Sequence, residues 1–261
     1  MRVICLNVSF YLLFLLCSLV VIPILAVYVT LVSLTGPRRR TLKHLRKAIS
    51  WYGTMALLLP FPWVRVKAED HRGDAGPDTA IYVFNHRSMS DPFLVVCLFW
   101  MDREIEGIQV VNIWPFRIPV LGLLARLAGY LSVREMETED FFARSAEYLE
   151  DGVSVVYFPE GTRSGGREMG QFHGSAFRLA LRTGKPIVPV CIVGNERIPP
   201  RGSLVLHPGT IRVRALPALM HDDYKDLTPF QLKNRVWQLM ADETAKMDAE
   251  LGGKWEVGSG R

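Results

Sequence analysis

Residues 85–91 read Asn-His-Arg-Ser-Met-Ser-Asp, which puts an imidazole and a carboxylate five positions apart on one short polar turn. Histidine is the side chain whose ordinary ionisation lies nearest neutral pH, and a carboxylate on one ring nitrogen fixes its tautomer and supports the imidazolium. His86 with Asp91 therefore reads as a general base and its orienter. The chain contains no Gly-x-Ser-x-Gly elbow to supply a protein nucleophile. A base of this kind would act on a hydroxyl that belongs to the substrate. A plainer reading stands beside it. Asp91 directly precedes Pro92 and is also placed to cap a helix, and a His-x4-Asp spacing alone is a weak signal.

A second polar turn, Phe-Pro-Glu-Gly-Thr-Arg-Ser-Gly-Gly over 158–166, follows the apolar run 153–158. Arg163 offers a rigid fork of donors to a phosphate, and Thr162 and the glycine-rich backbone around Gly161 offer more. Glu160 could accept a hydrogen bond from a substrate hydroxyl, or it could simply pair with Arg163. In α/β sheets, functional groups gather where strands end. A base for a hydroxyl beside a clamp for an anion implies chemistry on an amphiphile that carries both groups.

The elements that would position these turns are short. Runs 63–68, 79–84, 108–113, 129–135, 153–158 and 186–194 read as strands, and 203–216 reads as a hairpin about His207-Pro208-Gly209. The apolar run 92–101 with Pro at its first position, the segment 138–152 with acids in its first turn, 172–184 and 227–251 read as helices. Strands alternating with helices indicate an α/β body with a mixed β-sheet flanked by helices.

Ahead of that body the chain changes character. Residues 9–34 contain no charged side chain, long enough to cross a bilayer, with Pro23 in the middle. The basic stretch 36–47 follows at once, and Arg38, Arg39 and Arg40 favour an inner-membrane placement with the catalytic side in the cytoplasm. The next uncharged segment is interrupted by Pro60 and Pro62 and carries Trp51, Tyr52 and Trp63, which suits an interfacial helix or a re-entrant hairpin with the first. The organisation expected is a membrane anchor over 1–62 (spanning helix about 9–34, interfacial helix about 41–60), a catalytic domain over 63–251 and a disordered tail over 252–261. The net charge of +5 is modest, and the basic cluster is better explained by anionic lipid head groups than by nucleic acid. Four scattered cysteines form no Cys-x-x-Cys pair, and none of the six histidines shows ligand spacing, so neither a disulfide framework nor a metal is expected.

The motifs resemble those of the glycerolipid acyltransferase superfamily, of which the 1-acyl-glycerol-3-phosphate acyltransferases are a branch. Asn-His-x4-Asp matches its first block, "IPVLGLLARLAGYLSVRE" (118–135) resembles the second, "FPEGTRS" (158–164) the third, and "IVPVCI" (187–192) the fourth, in the family's order. The resemblance spans roughly residues 63–217. It implies that His86 is the base and Asp91 its orienter, and that Glu160, Gly161, Thr162 and Arg163 hold the glycerol phosphate. Pro189 would belong to the wall of the acyl site, with Asn85, Ser88, Arg117 and Arg134 as further acceptor or acyl contacts. The implied reaction moves a fatty acyl group from acyl-CoA or acyl carrier protein to the free sn-2 hydroxyl of 1-acylglycerol-3-phosphate, giving phosphatidic acid, without a cofactor or a metal.

Two positions depart from the family pattern. Phosphatidic-acid-forming members often carry a lysine six residues before the second block's proline, where this chain has Ile113. The aromatic-Lys-x-Gly after the third block is represented by Phe172-His173-Gly174-Ser175. The missing cation favours a different lysolipid acceptor as the alternative, unless Arg117 or Arg134 compensates. A thioesterase or lipid phosphatase, and a non-catalytic membrane scaffold, are further readings.

Overall fold

A computed structural model of the chain describes residues 1–73, 77–97, 105–111 and 119–252. Three strands, β2 (Ile81–Phe84), β5 (Ser154–Tyr157) and β6 (Ile187–Val193), are buried at every position. Unbroken apolar runs of this kind demand cover on both faces of a sheet. With β1 (Val64–Asp70), β3 (Gly107–Val111), β4 (Leu131–Ser132) and β7 (Gly209–Ala215) they form one seven-stranded sheet in the order β1-β7-β6-β2-β5-β3-β4. All neighbours run parallel except β6 and β7, so the sheet is mixed, as expected.

The period-2 alternation of β2 sorts its side chains between two cores. Ile81 and Val83 join Phe141, Phe142 and Leu149 of α5 (Thr138–Glu150), Phe177 and Leu179 of α6 (Ser175–Thr183), and Leu232, Val236 and Met240 of α7 (Pro229–Gly252). Tyr82 and Phe84 face the other way, against Leu94 of the short α3 (Asp91–Leu94), Val95, Cys97 and Leu6. Helix α4 (Pro119–Leu127) leads into the edge strand β4. The start of α7 is capped as its sequence indicates: Gln231 N–H donates to Thr228 Oγ1 at 3.3 Å, while Gln231 Oε1 accepts the Thr228 N–H at 2.9 Å.

Ahead of the sheet, α1 (Arg2–Thr35) continues through Pro23, and α2 (Arg38–Leu58) returns alongside it. Ser18 Oγ and Tyr52 OH lie 2.6 Å apart, and Tyr28 OH bonds His44 Nδ1, an antiparallel register. α1 is long and apolar enough to cross a membrane, with a mean hydropathy of 2.9 in its most apolar window, none of it buried in the protein. The opposite face of α2 packs on the body. Arg46 donates to Glu106 at 2.5 Å and to the Ala128 carbonyl at 2.9 Å, and Gly53 sits so close to Val96 that a Cβ would come within 2.9 Å of it.

Two expectations change. The hairpin over 203–216 does not form, and only β7 is a strand. β1 and β6 take the two edges of β7, so 203–208 has no strand to pair with, and Asn7 of α1 satisfies Leu206 instead: its Nδ2 donates to the Leu206 carbonyl and its Oδ1 accepts the Leu206 N–H, both at 2.8 Å. The strand expected over 129–135 shrinks to two residues, because Glu135 turns back to pair with Arg126 at 2.7 Å. The end of the helix expected over 92–101, the segment 112–118 with Ile113 and Arg117, and the tail beyond Gly252 lie outside the described residues.

Candidate active site

β6, β2 and β5 are adjacent and parallel, so their C-terminal ends open on the same edge of the sheet. The turn after β2 carries His86 and Asp91, the turn after β5 carries Glu160 to Arg163, and the turn after β6 carries Asn195. Residues more than a hundred positions apart meet there because short strands place their exits about 5 Å from each other.

His86 Nδ1 lies 2.7 Å from Asp91 Oδ2, with the His86 side chain 17% exposed and that of Asp91 fully buried. A carboxylate only accepts, so Nδ1 carries a proton, and in the neutral ring the lone pair is on Nε2. The ring rests against Phe158, centroids 4.7 Å apart, which gives the base one apolar wall. Asp91 is the first residue of α3, and its carboxylate turns back to accept the Ser88 N–H at 2.8 Å. The plain helix cap therefore gives way to a carboxylate shared between the local turn and His86.

The second turn grips the first through its backbone. Glu160 Oε1 accepts the His86 N–H at 2.6 Å, and the Ser164 N–H donates to the His86 carbonyl at 2.8 Å. Glu160 Oε2 accepts the Gly170 N–H at 2.8 Å. Both oxygens of this buried side chain are thus occupied by backbone, and a carboxylate cannot itself hold a phosphate. In this arrangement Glu160 braces the two turns. Burial pushes its carboxyl above the ordinary range, against the pull of the His86 and Gly170 N–H groups. Nor does Glu160 pair with Arg163, whose half-buried guanidinium makes no ion pair among the described residues. Thr162 and Gly161 are exposed beside it. Gly161 has φ +69°, and a Cβ there would stand 3.1 Å from the His173 ring, so the turn needs glycine on both counts.

Four further residues expected at the site have defined places in the fold. Asn85 is bonded to the sheet: its Nδ2 donates to the Ile192 carbonyl at 2.9 Å and its Oδ1 accepts the Ile192 N–H at 2.7 Å, extending the β2–β6 ladder by one step. Ser88 is buried, with Oγ donating to the Pro199 carbonyl at 3.0 Å. Pro189 is paired with Val83 in mid-sheet, roughly 10 Å along the strand from His86. Arg134 is exposed on the turn after β4, two strands beyond β5, and Arg117 lies outside the described residues. No group of three or more His, Cys, Asp or Glu side chains suited to a metal occurs among the described residues.

Sequence reading missed two participants. Arg87, between the base and Ser88, is fully buried and holds Asp248 of α7 with two bonds at 3.0 and 2.8 Å. Asn195 donates to the free oxygen of Asp91. The only trace of Asn195 in the sequence is a Gly-Asn at the end of a buried strand.

The His86–Asp91 pair and the cationic turn beside it thus lie together at the C-terminal edge of an α/β sheet. The family model described as Acyltransferase matches residues 64–193, which takes in the base and the cationic turn, and the chain belongs to that family. The LPAT1 1-acyl-sn-glycerol-3-phosphate acyltransferase of Arabidopsis thaliana chloroplasts is 32% identical over 187 residues, 70% of this chain and 50% of that protein. The chain spans about half the length of such chloroplast relatives. The 1-acyl-sn-glycerol-3-phosphate acyltransferase of Escherichia coli is 26% identical over 241 residues, 90% of this chain and 93% of that protein. The crystal structure of the 1-acyl-sn-glycerophosphate acyltransferase PlsC from Thermotoga maritima shares the fold, with a TM-score of 0.76 and 23% identity over 95% of this chain and 98% of that one.

Proposed function

We propose that the chain transfers a fatty acyl group from acyl-CoA or acyl carrier protein to the free sn-2 hydroxyl of 1-acylglycerol-3-phosphate, giving phosphatidic acid. The observation that carries this reading is the 2.7 Å Nδ1–Asp91 bond, which leaves His86 Nε2 as a free base beside the cationic turn at Arg163. The names borne by the relatives supply the substrate class.

In the reaction, Nε2 removes the hydroxyl proton as the oxygen attacks the thioester carbonyl. The tetrahedral intermediate then collapses, the C–S bond breaks, and the proton on Nε2 passes to the departing thiolate. Asp91 holds the ring for both transfers. A positioned base of this kind contributes on the order of 10²–10⁴-fold. Arg163, with the Thr162 hydroxyl, holds the acceptor's phosphate. Arg201 adds a second cation: its stem lies over Gly165, where a Cβ would come within 2.8 Å of it.

Both substrates are amphiphiles, and the reading places the site at a bilayer. α1 exposes Leu12, Leu16, Leu19 and Ile24, and α2 exposes Trp51 and Leu58. A largely apolar hollow of about 410 Å³ lined by Trp51, Thr54, Met55, Leu58 and Leu59 opens on α2. Because α2 lies flat on the body over much of its length, the pair is embedded as a helical hairpin along the flank of the catalytic domain, with the cationic turns facing the cytoplasmic head groups.

The test is acyl transfer by membranes containing the protein, using a labelled long-chain acyl-CoA and a panel of lysolipids, with His86→Ala in parallel. Label in phosphatidic acid, abolished by His86→Ala, supports the proposal. Label confined to another lysolipid retains the chemistry and changes the acceptor, and thioester consumed without acylated lipid turns the reading to a hydrolase.

A further inference from the structure

We infer that Asn195 is a positioning residue for the base, holding Asp91 and, through Asp91, the ring of His86. The inference rests on His86 acting as the base in the reaction proposed above.

Asp91 Oδ2 is already engaged by His86 Nδ1 at 2.7 Å and by the Ser88 N–H at 2.8 Å. Both donors reach the same oxygen. A carboxylate held by one oxygen remains free to turn about its Cβ–Cγ bond, a torsion with broad wells. Asn195 Nδ2 donates to the other oxygen, Oδ1, with a longer contact to Ser90 Oγ at 3.4 Å. That third donor fixes the plane of the carboxylate, and with it the direction in which Oδ2 meets the imidazole.

The amide has only one workable orientation. Flipped, its carbonyl would face the carboxylate. As placed, Asn195 is fully buried and its Oδ1 has no hydrogen-bond partner among the described residues. Stranding a buried acceptor is unfavourable, and an apolar side chain of similar size would fill the space without it. What the amide supplies at this position is therefore the donor. Its place is set by the fold: Gly194, at φ +83°, turns the chain off the end of β6, and a Cβ there would collide with the Thr210 carbonyl.

The experiment uses the full chain in detergent micelles, with thiol release from a long-chain acyl-CoA as readout and the lysolipid accepted by the wild type. The variants are Asn195→Leu, Asn195→Asp, Asp91→Asn and the Asp91→Asn/Asn195→Leu pair. Asn195→Leu keeps the shape and removes the donor; kcat is expected to fall on the order of 10–100-fold, as for outer partners that orient a working imidazole, with the acceptor KM nearly unchanged. Asn195→Asp is isosteric and sets a second carboxylate against the first. Its kcat/KM relative to wild type should rise as pH falls, because a protonated Asp can donate the bond again. In the Asp91→Asn background, Asn195→Leu should cause little further loss, since residues acting as one unit are not additive.

Losses that multiply across the pair, or an Asn195→Asp profile parallel to wild type, would overturn the inference and leave Asn195 a packing residue. Should Asn195→Leu fail to fold, Asn195→Asp carries the same test in both backgrounds. If the wild type consumes thioester without acylating a lipid, the proposed function fails, and the coupling read on thioester consumption still decides the role of Asn195.

Discussion

The ion pair between Arg87 and Asp248 is a direct test of how the catalytic turn is anchored. Arg87 sits between the base and Ser88 with its side chain 1% exposed, and Asp248, near the end of α7, is 14% exposed. Two bonds join them at 3.0 and 2.8 Å, and Arg87 Nη2 also donates to the Arg167 carbonyl at 2.7 Å. Each charge-assisted bond is worth about 1.5–3 kcal/mol, and breaking a buried pair from one side typically costs about 3–5 kcal/mol because a charge is stranded. The two sides should differ. Arg87→Met strands Asp248, which has some access to water, and should cost about 3 kcal/mol, the lower end of that range. Asp248→Asn strands the guanidinium where water cannot reach, with Glu196 3.8 Å away as partial compensation, and should cost about 4–5 kcal/mol. The double variant Arg87→Met/Asp248→Leu replaces the pair by apolar contact and should recover to within about 2 kcal/mol of wild type. The assay is urea unfolding of the solubilised protein followed by tryptophan fluorescence. Equal single losses, or a double variant as unstable as the sum of the singles, would refute the argument.

Three further outcomes are expected. Gly194→Ala forces a side chain onto φ +83° and into the Thr210 carbonyl; it should cost roughly 2–4 kcal/mol and lower kcat by displacing Asn195, read by melting temperature and turnover together. Asn85→Ala strands the buried N–H and C=O of Ile192 and should cost about 2–4 kcal/mol, so a urea midpoint close to wild type would show that the β2–β6 ladder ends earlier. At the other edge of the sheet, burial raises the Glu69 and Glu243 carboxyls, but bonds from Arg212 and Arg214 to Glu69, and from Arg214 to Glu243, outweigh it and hold both below their ordinary value of 4.5. The folded chain then binds fewer protons than the unfolded one, so this stabilisation is complete above pH 4.5 and is lost as pH falls through the lowered folded values. The urea midpoint should fall below that pH, and less steeply in Glu69→Gln.

Much of the molecule was legible before its structure. The fully buried strands β2, β5 and β6 announce themselves as apolar runs, because a strand covered on both faces has no polar side to show. The two polar turns stood out for the complementary reason, since charged residues at the end of a buried strand have nothing to pack against. α1 was evident from the absence of charge, and the spacing of five between His86 and Asp91 foreshadowed the bond that joins them. Local chemistry determined these, and local chemistry is what a sequence records.

What tertiary structure decided was which strand exits meet. Nothing in the chain near residue 195 names Asp91 as its partner; the order β6-β2-β5 does. The same order made Glu160 a brace between the two turns, since only in three dimensions do its oxygens find the N–H groups of His86 and Gly170. It made Asn85 a rung of the sheet, because β6 passes beside it and offers both halves of a backbone pair. The hairpin expected over 203–216 failed for a related reason: β1 and β6 occupy both edges of β7, and the backbone groups of Leu206 are taken up by Asn7 instead. A hydrogen-bonding group has an obligation to be satisfied that its own residue type reveals, and the identity of the partner depends on the packing of elements distant in sequence.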